Sequence, residues 1–182
     1  MFKERQTTQE LGLKVTEGIT RKQIEQLINF SRIDPEIAQN TSDRQRFASK
    51  DEFDKWRAAG RRIYVLEDPA GNLNGIIWFG KKELPCREGF TRKINLRMCT
   101  TTFAIRLYPQ ARGKGLAFEF MFKSLLLDSF HWGQVYPNIW LEVSSNNNPA
   151  VALYKKFGFR TVTAPDENGK ILMVWHDLRW HM

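Results

Sequence analysis

The stretch "YPQARGKGLAFE", residues 108–119, sets two glycines and two cations at the head of a long apolar run. Gly113 and Gly115 lack the Cβ atoms that would hold a ligand away from the main chain. Residues 116–130 contain no glycine or proline and are apolar around most of a helix, which predicts a helix buried against a sheet. Because unpaired N–H groups at a helix start attract anions, we expect an anion site here, with charge added by Arg112 and Lys114.

The segments on either side of this loop predict a mixture of strands and helices. The run "RRIYVLEDPAGNLNGIIWFGKKEL" predicts a hairpin that reverses at "DPAGN", and the segment "FRTVTAPDENGKILMVWHDL" predicts another. Thr20 and Asp34-Pro35 mark two helix starts, and one or two further helices are expected within the polar segment 37–59. The remaining expected elements are a strand within 11–19, a strand over 95–107, the strand "NIWLEV" and the helix "PAVALYKKFG". The order β-α-α-β-β-β-α-β-α-β-β predicts an α+β fold, and 182 residues predict a single domain over 1–182.

Composition restricts the class of protein but not its partner. Six tryptophans and thirteen phenylalanines exclude a disordered chain, and the net charge of +8 suits a phosphate-bearing ligand, an acidic partner or nucleic acid. Cys86 and Cys99 show no metal-ligand spacing, so we expect free thiols, although a disulfide stays open. The start "MFKERQTTQE" has no apolar core and no segment reaches membrane-spanning length, so a soluble cytoplasmic protein is expected.

The residue spacing of this loop excludes two well-known phosphate-binding motifs. A P-loop needs a glycine five residues before its Gly-Lys pair and Ser or Thr after it, but Tyr108 and Gly115 stand at those positions. A dinucleotide fingerprint needs a third glycine where Phe118 lies, and it expects an early strand of a parallel sheet. The loop therefore belongs to another class of anion site.

The loop resembles the acyl-CoA pyrophosphate loop of the GNAT superfamily of N-acetyltransferases. Residues 112–117 match Arg-x-x-Gly-x-Ala, and a second register over 110–115 also matches. The first register is preferred because it leaves the turn "YPQA" between strand and loop. The segment "NNPAVALYKKFGF", residues 147–159, is similar to the closing helix of this family, and "NIWLEVSSN" to the strand before it. The resemblance covers about residues 61–178; the first sixty residues match in element order only.

The resemblance implies a fold and a set of binding residues. It implies a mixed, mostly antiparallel sheet of about seven strands with a V-shaped splay, and about four helices. Acetyl-CoA is the implied co-substrate, and its acetyl group passes to a primary amine by direct attack in a ternary complex. The main chain of Ile105, Arg106 and Leu107 would pair with the pantetheine, and Asn147 would hydrogen-bond it. The pyrophosphate would be wrapped by Arg112, Gly113, Lys114, Gly115, Leu116, Ala117 and Phe118.

Two side chains are candidate catalysts. In the family a tyrosine matching Tyr154 points at the CoA sulfur, which implies a general acid; the alternative is an aromatic residue that is merely packed. Glu142 is the one carboxylate in an apolar strand, and the branch that acetylates ribosomal-protein N-termini uses a glutamate at this spacing as its base. The alternative is that Glu142 pairs with an arginine such as Arg97 or Arg106, because a lone buried charge is costly. No Asp or Glu occurs over 95–107, so a water relay also stays open.

The acceptor and the remaining residues are less defined. Cys99 is expected in the core rather than as a nucleophile, and the three histidines show no catalytic arrangement. Residues 24–60 and 164–170 are expected to shape a site for a small-molecule amine, a peptide N-terminus or a lysine. The rival functions are a CoA-binding sensor without turnover and, less favoured, a nucleic-acid-binding protein, which would show steep salt dependence. No membrane partner is expected, and a homodimer is compatible with each reading.

Overall fold

The computed structural model describes residues 7–91, 95–132 and 138–176. Within these ranges the chain forms seven strands, six α-helices and one 3₁₀ turn at Leu96–Met98. The strands are β1 (Lys14–Glu17), β2 (Arg61–Glu67), β3 (Leu73–Lys81), β4 (Thr101–Leu107), β5 (Asn138–Ser144), β6 (Phe159–Thr161) and β7 (Lys170–His176). The helices are α1 (Arg21–Ile33), α2 (Pro35–Asn40), α3 (Asp43–Arg46), α4 (Lys50–Ala58), α5 (Ala117–Trp132) and α6 (Asn148–Phe157).

The helix starts follow from local capping chemistry. Thr20 and Gln23 form a reciprocal capping box at α1, and the Asp34 side chain accepts from two main-chain N–H groups at the start of α2. Asn147 caps α6, and Gly158 ends that helix in the left-handed region at φ 110°. These side chains specify where the helices begin and end without help from distant residues.

The strands form one sheet in the order β1-β2-β3-β4-β5-β7-β6. The β1/β2, β5/β7 and β6/β7 pairs are antiparallel, and β4/β5 is parallel. The prediction of a mixed, mostly antiparallel α+β sheet is confirmed. The resemblance implied about four helices; the six described ones include α3 and α4, which are the one or two helices expected within the polar segment 37–59.

The chain divides into two compact units, Met1–Trp78 with Ile105–Gly133, and Phe79–Ala104 with Gln134–Met182. In the first unit an aromatic cluster of Phe47, Phe53, Trp56 and Trp78 packs α3 and α4 on β3, with ring centroids 4.9–6.1 Å apart. In the second unit, as expected for Cys99, that residue is fully buried, in a core of Leu84, Trp140, Val162, Leu172 and Val174.

Helix α5 departs from one expectation. Its inner face is buried at Phe120, Met121, Ser124 and Asp128, and the Asp128 carboxylate accepts from the Tyr64 hydroxyl at 2.8 Å. However, the side chains of Phe122, Leu126 and Phe130 are 55%, 58% and 83% exposed. These three residues, here called the apolar stripe, recur every four positions and so line one face of the helix. The helix is therefore apolar on its outer face as well as on its inner one.

Candidate functional site

The loop after β4 is anchored at Tyr108. The main-chain N–H of Tyr108 donates to the Asn74 carbonyl at 3.0 Å, and its ring stacks on Phe30 with centroids 4.2 Å apart. The Tyr108 carbonyl accepts from the N–H groups of Ala111 and Arg112 at 2.9 and 3.2 Å. These bonds form one tight turn, which fixes the direction in which the chain leaves β4.

The two glycines of the loop adopt conformations that other residues avoid. Gly113 has φ 71° and Gly115 has φ 77°, both in the left-handed region. A Cβ built on Gly113 would have no other atom within 4 Å, so open space lies beside its main chain. Glycine is needed here for the backbone conformation, and its missing side chain leaves the main chain accessible.

Five consecutive main-chain N–H groups follow this turn, at residues 113–117. Within the described part of the chain none of them donates a hydrogen bond of good geometry, whereas the Phe120 N–H bonds the Leu116 carbonyl at 2.9 Å. Helix α5 begins at Ala117, the last residue of the preferred motif register, and its dipole adds partial positive charge at this end. The arrangement is suited to an anion with several oxygen atoms.

Arg112 contributes less charge to this site than the sequence suggested. Its Nη1 and Nη2 donate to the two carboxylate oxygens of Asp34 at 3.0 and 2.6 Å, and its Nε donates to the Leu107 carbonyl at 2.8 Å. The Asp34 side chain is only 1% exposed. This buried pair neutralises the guanidinium and fastens the loop to the start of α2, so Lys114, which is exposed, is the loop cation left for a ligand.

At the end of β4, two of the main-chain carbonyls that the resemblance assigns to the pantetheine already accept a hydrogen bond. The Leu107 carbonyl accepts from Arg112, and the Ile105 carbonyl accepts from Arg106 Nη1 at 2.9 Å. A carbonyl oxygen can accept a second hydrogen bond, so these contacts leave acceptor capacity. The Arg106 side chain itself turns toward Asp43, with Nε 2.7 Å from Oδ2.

In the second unit the parallel ladder between β4 and β5 is short. It pairs Thr101 with Ile139 and Thr102 with Trp140, near the start of both seven-residue strands. As far as the described residues show, it has no further pair at Phe103 or Ala104. Within the described residues the pairing is therefore confined to the first half of both strands.

Tyr154 lies on the inner face of α6. Its side chain is 6% exposed, and its ring contacts Phe103 and Phe159 with centroids 6.4 and 5.7 Å away. The ring is thus held by aromatic packing against β4 and β6. Such a ring has a fixed direction, which both a positioned acid and a purely structural aromatic residue would need.

Asn147 has one role that the structure makes visible. Its Oδ1 accepts from the Ala150 N–H at 3.2 Å and so caps α6. Within the described residues its Nδ2 makes no hydrogen bond, so the two amide donors stay available for the expected contact with a pantetheine arm.

Glu142 is ion-paired, but not with the arginines considered from the sequence. Its side chain is 30% exposed; Arg87 bonds its Oε2, and Lys170 Nζ lies 3.2 Å from its Oε1. Arg87 also donates to Asp166 at 2.7 Å, so one guanidinium bridges the two carboxylates. Arg106, a partner considered for Glu142, instead pairs with Asp43. Sequence reasoning missed Arg87 because no motif surrounds it.

The chain matches a family model over most of its length. The model of the Acetyltransferase (GNAT) family matches residues 25–159, and so begins well before residue 61, where the motif resemblance starts. No protein of curated function matches the chain significantly.

Solved structures match at low identity over almost the whole chain. A chimera of the Vibrio cholerae spermidine N-acetyltransferase SpeG and hSSAT is 21% identical with TM-score 0.64, covering 91% of this chain and 95% of that one. The Vibrio cholerae spermidine N-acetyltransferase with CoA and spermine is 19% identical with TM-score 0.64, covering 90% and 93%. The putative acetyltransferase yncA of Salmonella typhimurium, with acetyl-CoA, is 16% identical with TM-score 0.58, covering 91% and 96%. These likenesses show a shared fold.

Proposed function

Because the chain belongs to the acetyltransferase (GNAT) family, we propose that it transfers the acetyl group of acetyl-CoA to a primary amine, by direct attack in a ternary complex. The observation that carries the proposal is the row of five N–H groups at residues 113–117, at the start of α5, that have no hydrogen-bond partner within the described residues. Similar folds hold CoA with spermine, and acetyl-CoA, in their structures. We further propose a single catalytic domain over 1–182 that works in the cytoplasm.

The loop fits a diphosphate on three grounds. Its amides are unbonded, its two glycines remove side chains from the approach, and α5 points the positive end of its dipole at the same place. The N–H groups of residues 113–117 would hold the pyrophosphate, Lys114 would add charge, and Arg112 would act indirectly by fixing the loop to Asp34. Leu116 and Phe118 would flank the bound group.

Acetyl-CoA, when bound, supplies an activated thioester that an amine can attack without a covalent enzyme intermediate. We propose that the Tyr154 hydroxyl donates a proton to the departing sulfur, because its packed ring gives that hydroxyl a fixed direction. Replacing Tyr154 with phenylalanine keeps the ring contacts and removes the proton. Turnover should fall by about a hundredfold or more, with the acetyl-CoA dissociation constant and the melting temperature unchanged. Full turnover in the variant would reject the role.

We propose Glu142 as the group that takes the proton from the amine. Its neighbours Arg87 and Lys170 hold it in place and keep a positive field beside it. Glu142→Gln should lower turnover by about a hundredfold. A variant that loses stability but keeps its rate would show that the glutamate only binds cations, and a water relay would take its place.

Three measurements separate this function from its rivals. Acetyl-CoA and CoA should raise the melting temperature, because binding to the folded state stabilises it, whereas adenine dinucleotides should not. Steady thiol release with a panel of amines distinguishes the enzyme from a sensor that binds CoA without turnover. A nucleic-acid-binding protein would instead show affinity for DNA or RNA that falls steeply with salt.

We also propose that two copies of the chain associate through the apolar stripe of α5. Three large apolar side chains on one exposed helix face favour a protein partner, and a second copy offers the same face. One similar fold, the Vibrio cholerae spermidine N-acetyltransferase, is described as dodecameric.

A further inference from the structure

Two arginines meet over one buried carboxylate in the first unit. The Asp43 side chain is 1% exposed; Arg46 bonds its Oδ1, and Arg106 reaches it with Nε at 2.7 Å from Oδ2 and Nη2 at 3.3 Å from Oδ1. The arginine side chains are 29% and 15% exposed. The two guanidiniums therefore lie close together and still reach the surface.

Both guanidiniums pack against the ring of Trp78. The guanidinium carbon of Arg46 lies 5.6 Å from the Trp78 ring centroid, and that of Arg106 lies 4.9 Å from it. Trp56 meets Trp78 edge-on at 5.2 Å. Stacking on Trp78 holds the guanidinium groups of Arg46 and Arg106 in fixed directions, so they are pre-organised to bind an oxyanion.

A third arginine, Arg61, carries two buried nitrogen atoms that lack a hydrogen-bond partner among the described residues. It begins β2, and alternation along the strand puts it on the same face as Glu67, which bonds Gln23 of α1. This is the face of the sheet that α1 covers. The Nε and Nη1 atoms of Arg61 are buried and have no hydrogen-bond partner within the described residues.

The charge of Arg61 acts on Arg46, in agreement with the face of the sheet that strand alternation gives Arg61. Burial, first of all, lowers the pKa of Arg46; Asp43 opposes this, while the charges of Arg106 and Arg61 lower it further. Burial also lowers the pKa of Arg61. Buried guanidinium donors without acceptors are costly, and an added anion would remove the cost.

We propose that Arg46, Arg61 and Arg106, here called the arginine cluster, bind a carboxylate or phosphate carried by the acceptor amine. The two observations that carry this are the shared Asp43 under stacked guanidiniums and the buried, unpartnered donors of Arg61. Arg forks match both kinds of oxyanion in a bidentate manner.

This inference rests on the proposed function and narrows its substrate class. Arg106 lies between Ile105 and Leu107, the residues proposed to line the pantetheine, and its side chain leaves the strand toward the cluster. An anionic group held there would keep the amine of the same molecule near that strand. A polyamine, with several positive charges and no negative one, would be repelled by the same guanidiniums.

The test compares matched amines that differ by one anionic group. Lysine and cadaverine differ by a carboxylate, and phosphoethanolamine and ethanolamine by a phosphate. Thiol release from acetyl-CoA should give a kcat/KM higher by about tenfold to a hundredfold for one or both anionic members, and the pair with the larger ratio identifies the oxyanion. Equal values within both pairs, or a preference for spermidine, would overturn the inference while leaving acetyl transfer intact. Absence of thiol release with every amine would instead contradict the proposed function.

Variants give a second, independent readout. Arg61→Gln should remove the anion preference, yet raise the melting temperature, because it deletes two buried donor atoms that have no acceptor among the described residues. Arg57→Gln, an exposed arginine on α4, is the matched control and should change neither. Binding of inorganic phosphate, followed by thermal shift without acetyl-CoA, should be weakened by Arg61→Gln only. A lower melting temperature together with an unchanged anion preference would show that Arg61 is structural.

Discussion

At the scale of single residues, the structure separates groups that the sequence makes look alike. Arg112 and Lys114 flank the same glycine, but only Arg112 is bound by a buried carboxylate, Asp34. Gly113 and Gly71 have almost the same backbone conformation, with φ 71° and 74°, and both face open space. What a residue does in this loop therefore depends on its neighbours in space.

Because Gly113 and Gly71 have similar backbone conformations, they allow a controlled test of the proposed anion site at residues 113–117. Gly113→Ala and Gly71→Ala should each lower the free energy of unfolding by about 1–2 kcal/mol, since both strain a left-handed residue. Only Gly113→Ala should weaken acetyl-CoA binding, by about tenfold, because its Cβ would stand where the diphosphate approaches. Calorimetric titration and urea unfolding measure the two effects; equal affinities in both variants would place the cofactor elsewhere.

Burial of the Cys99 thiol predicts that the stability of the protein depends on pH. Burial raises the pKa of Cys99 from 9.0 to about 11, so the folded chain keeps this proton while the unfolded chain loses it. The unfolded state then binds fewer protons, and the free energy of unfolding falls as pH rises from about 9 to about 11. Urea unfolding across this range should show a shallower fall in Cys99→Ala. Cys86→Ala, which changes an exposed thiol, should retain the wild-type slope.

At the scale of elements, the Asn147 side chain both caps α6 and is proposed to bind the cofactor. Asn147 caps α6 through Oδ1, and the helix it starts carries Tyr154 about two turns later. The cap therefore sets the position of the proposed acid as well as the end of the helix. Because the cap uses Oδ1 of Asn147 and the proposed cofactor contact uses its Nδ2, a substitution can remove the contact and keep the cap.

Asn147→Asp isolates the cofactor contact. The aspartate keeps an oxygen for the cap, so stability should be unchanged, but the amide donors are gone and the KM for acetyl-CoA should rise by about tenfold. Asn147→Ala should raise the KM similarly and also cost about 1 kcal/mol of stability. Asn148→Ala, at the exposed first position of the same helix, is the control and should change neither. An unchanged KM in Asn147→Asp would remove the contact.

At the scale of the whole molecule, one exposed surface is apolar: the face of α5 that carries Phe122, Leu126 and Phe130. The apolar stripe of α5 contrasts with a net charge of +8, which should otherwise keep copies apart. In the part of the chain that the structure describes, no helix has the length and hydropathy needed to cross a bilayer. We propose that a second copy of the chain covers the stripe, because it offers the same exposed apolar face.

Self-association is directly measurable. Sedimentation velocity should find a dimer of the wild-type chain and a monomer of the double variant Phe122→Glu/Leu126→Glu, since burying two carboxylates in an apolar contact is costly. Ile33→Glu changes an equally exposed apolar residue outside the stripe and should leave the dimer intact. A monomeric wild-type chain at high concentration would contradict the proposal.

The sequence by itself determined the local features of this protein. The capped starts of α1, α2 and α6, the β2–β3 turn and the glycine loop before α5 all depend on residues a few positions apart, so their chemistry can be read along the chain. Only the tertiary structure decided which charges meet. Arg112 and Asp34 are 78 positions apart, Arg106 and Asp43 are 63 apart, and Arg87 and Glu142 are 55 apart. A charged side chain pairs with whatever the fold brings within reach, and no local pattern encodes that partner.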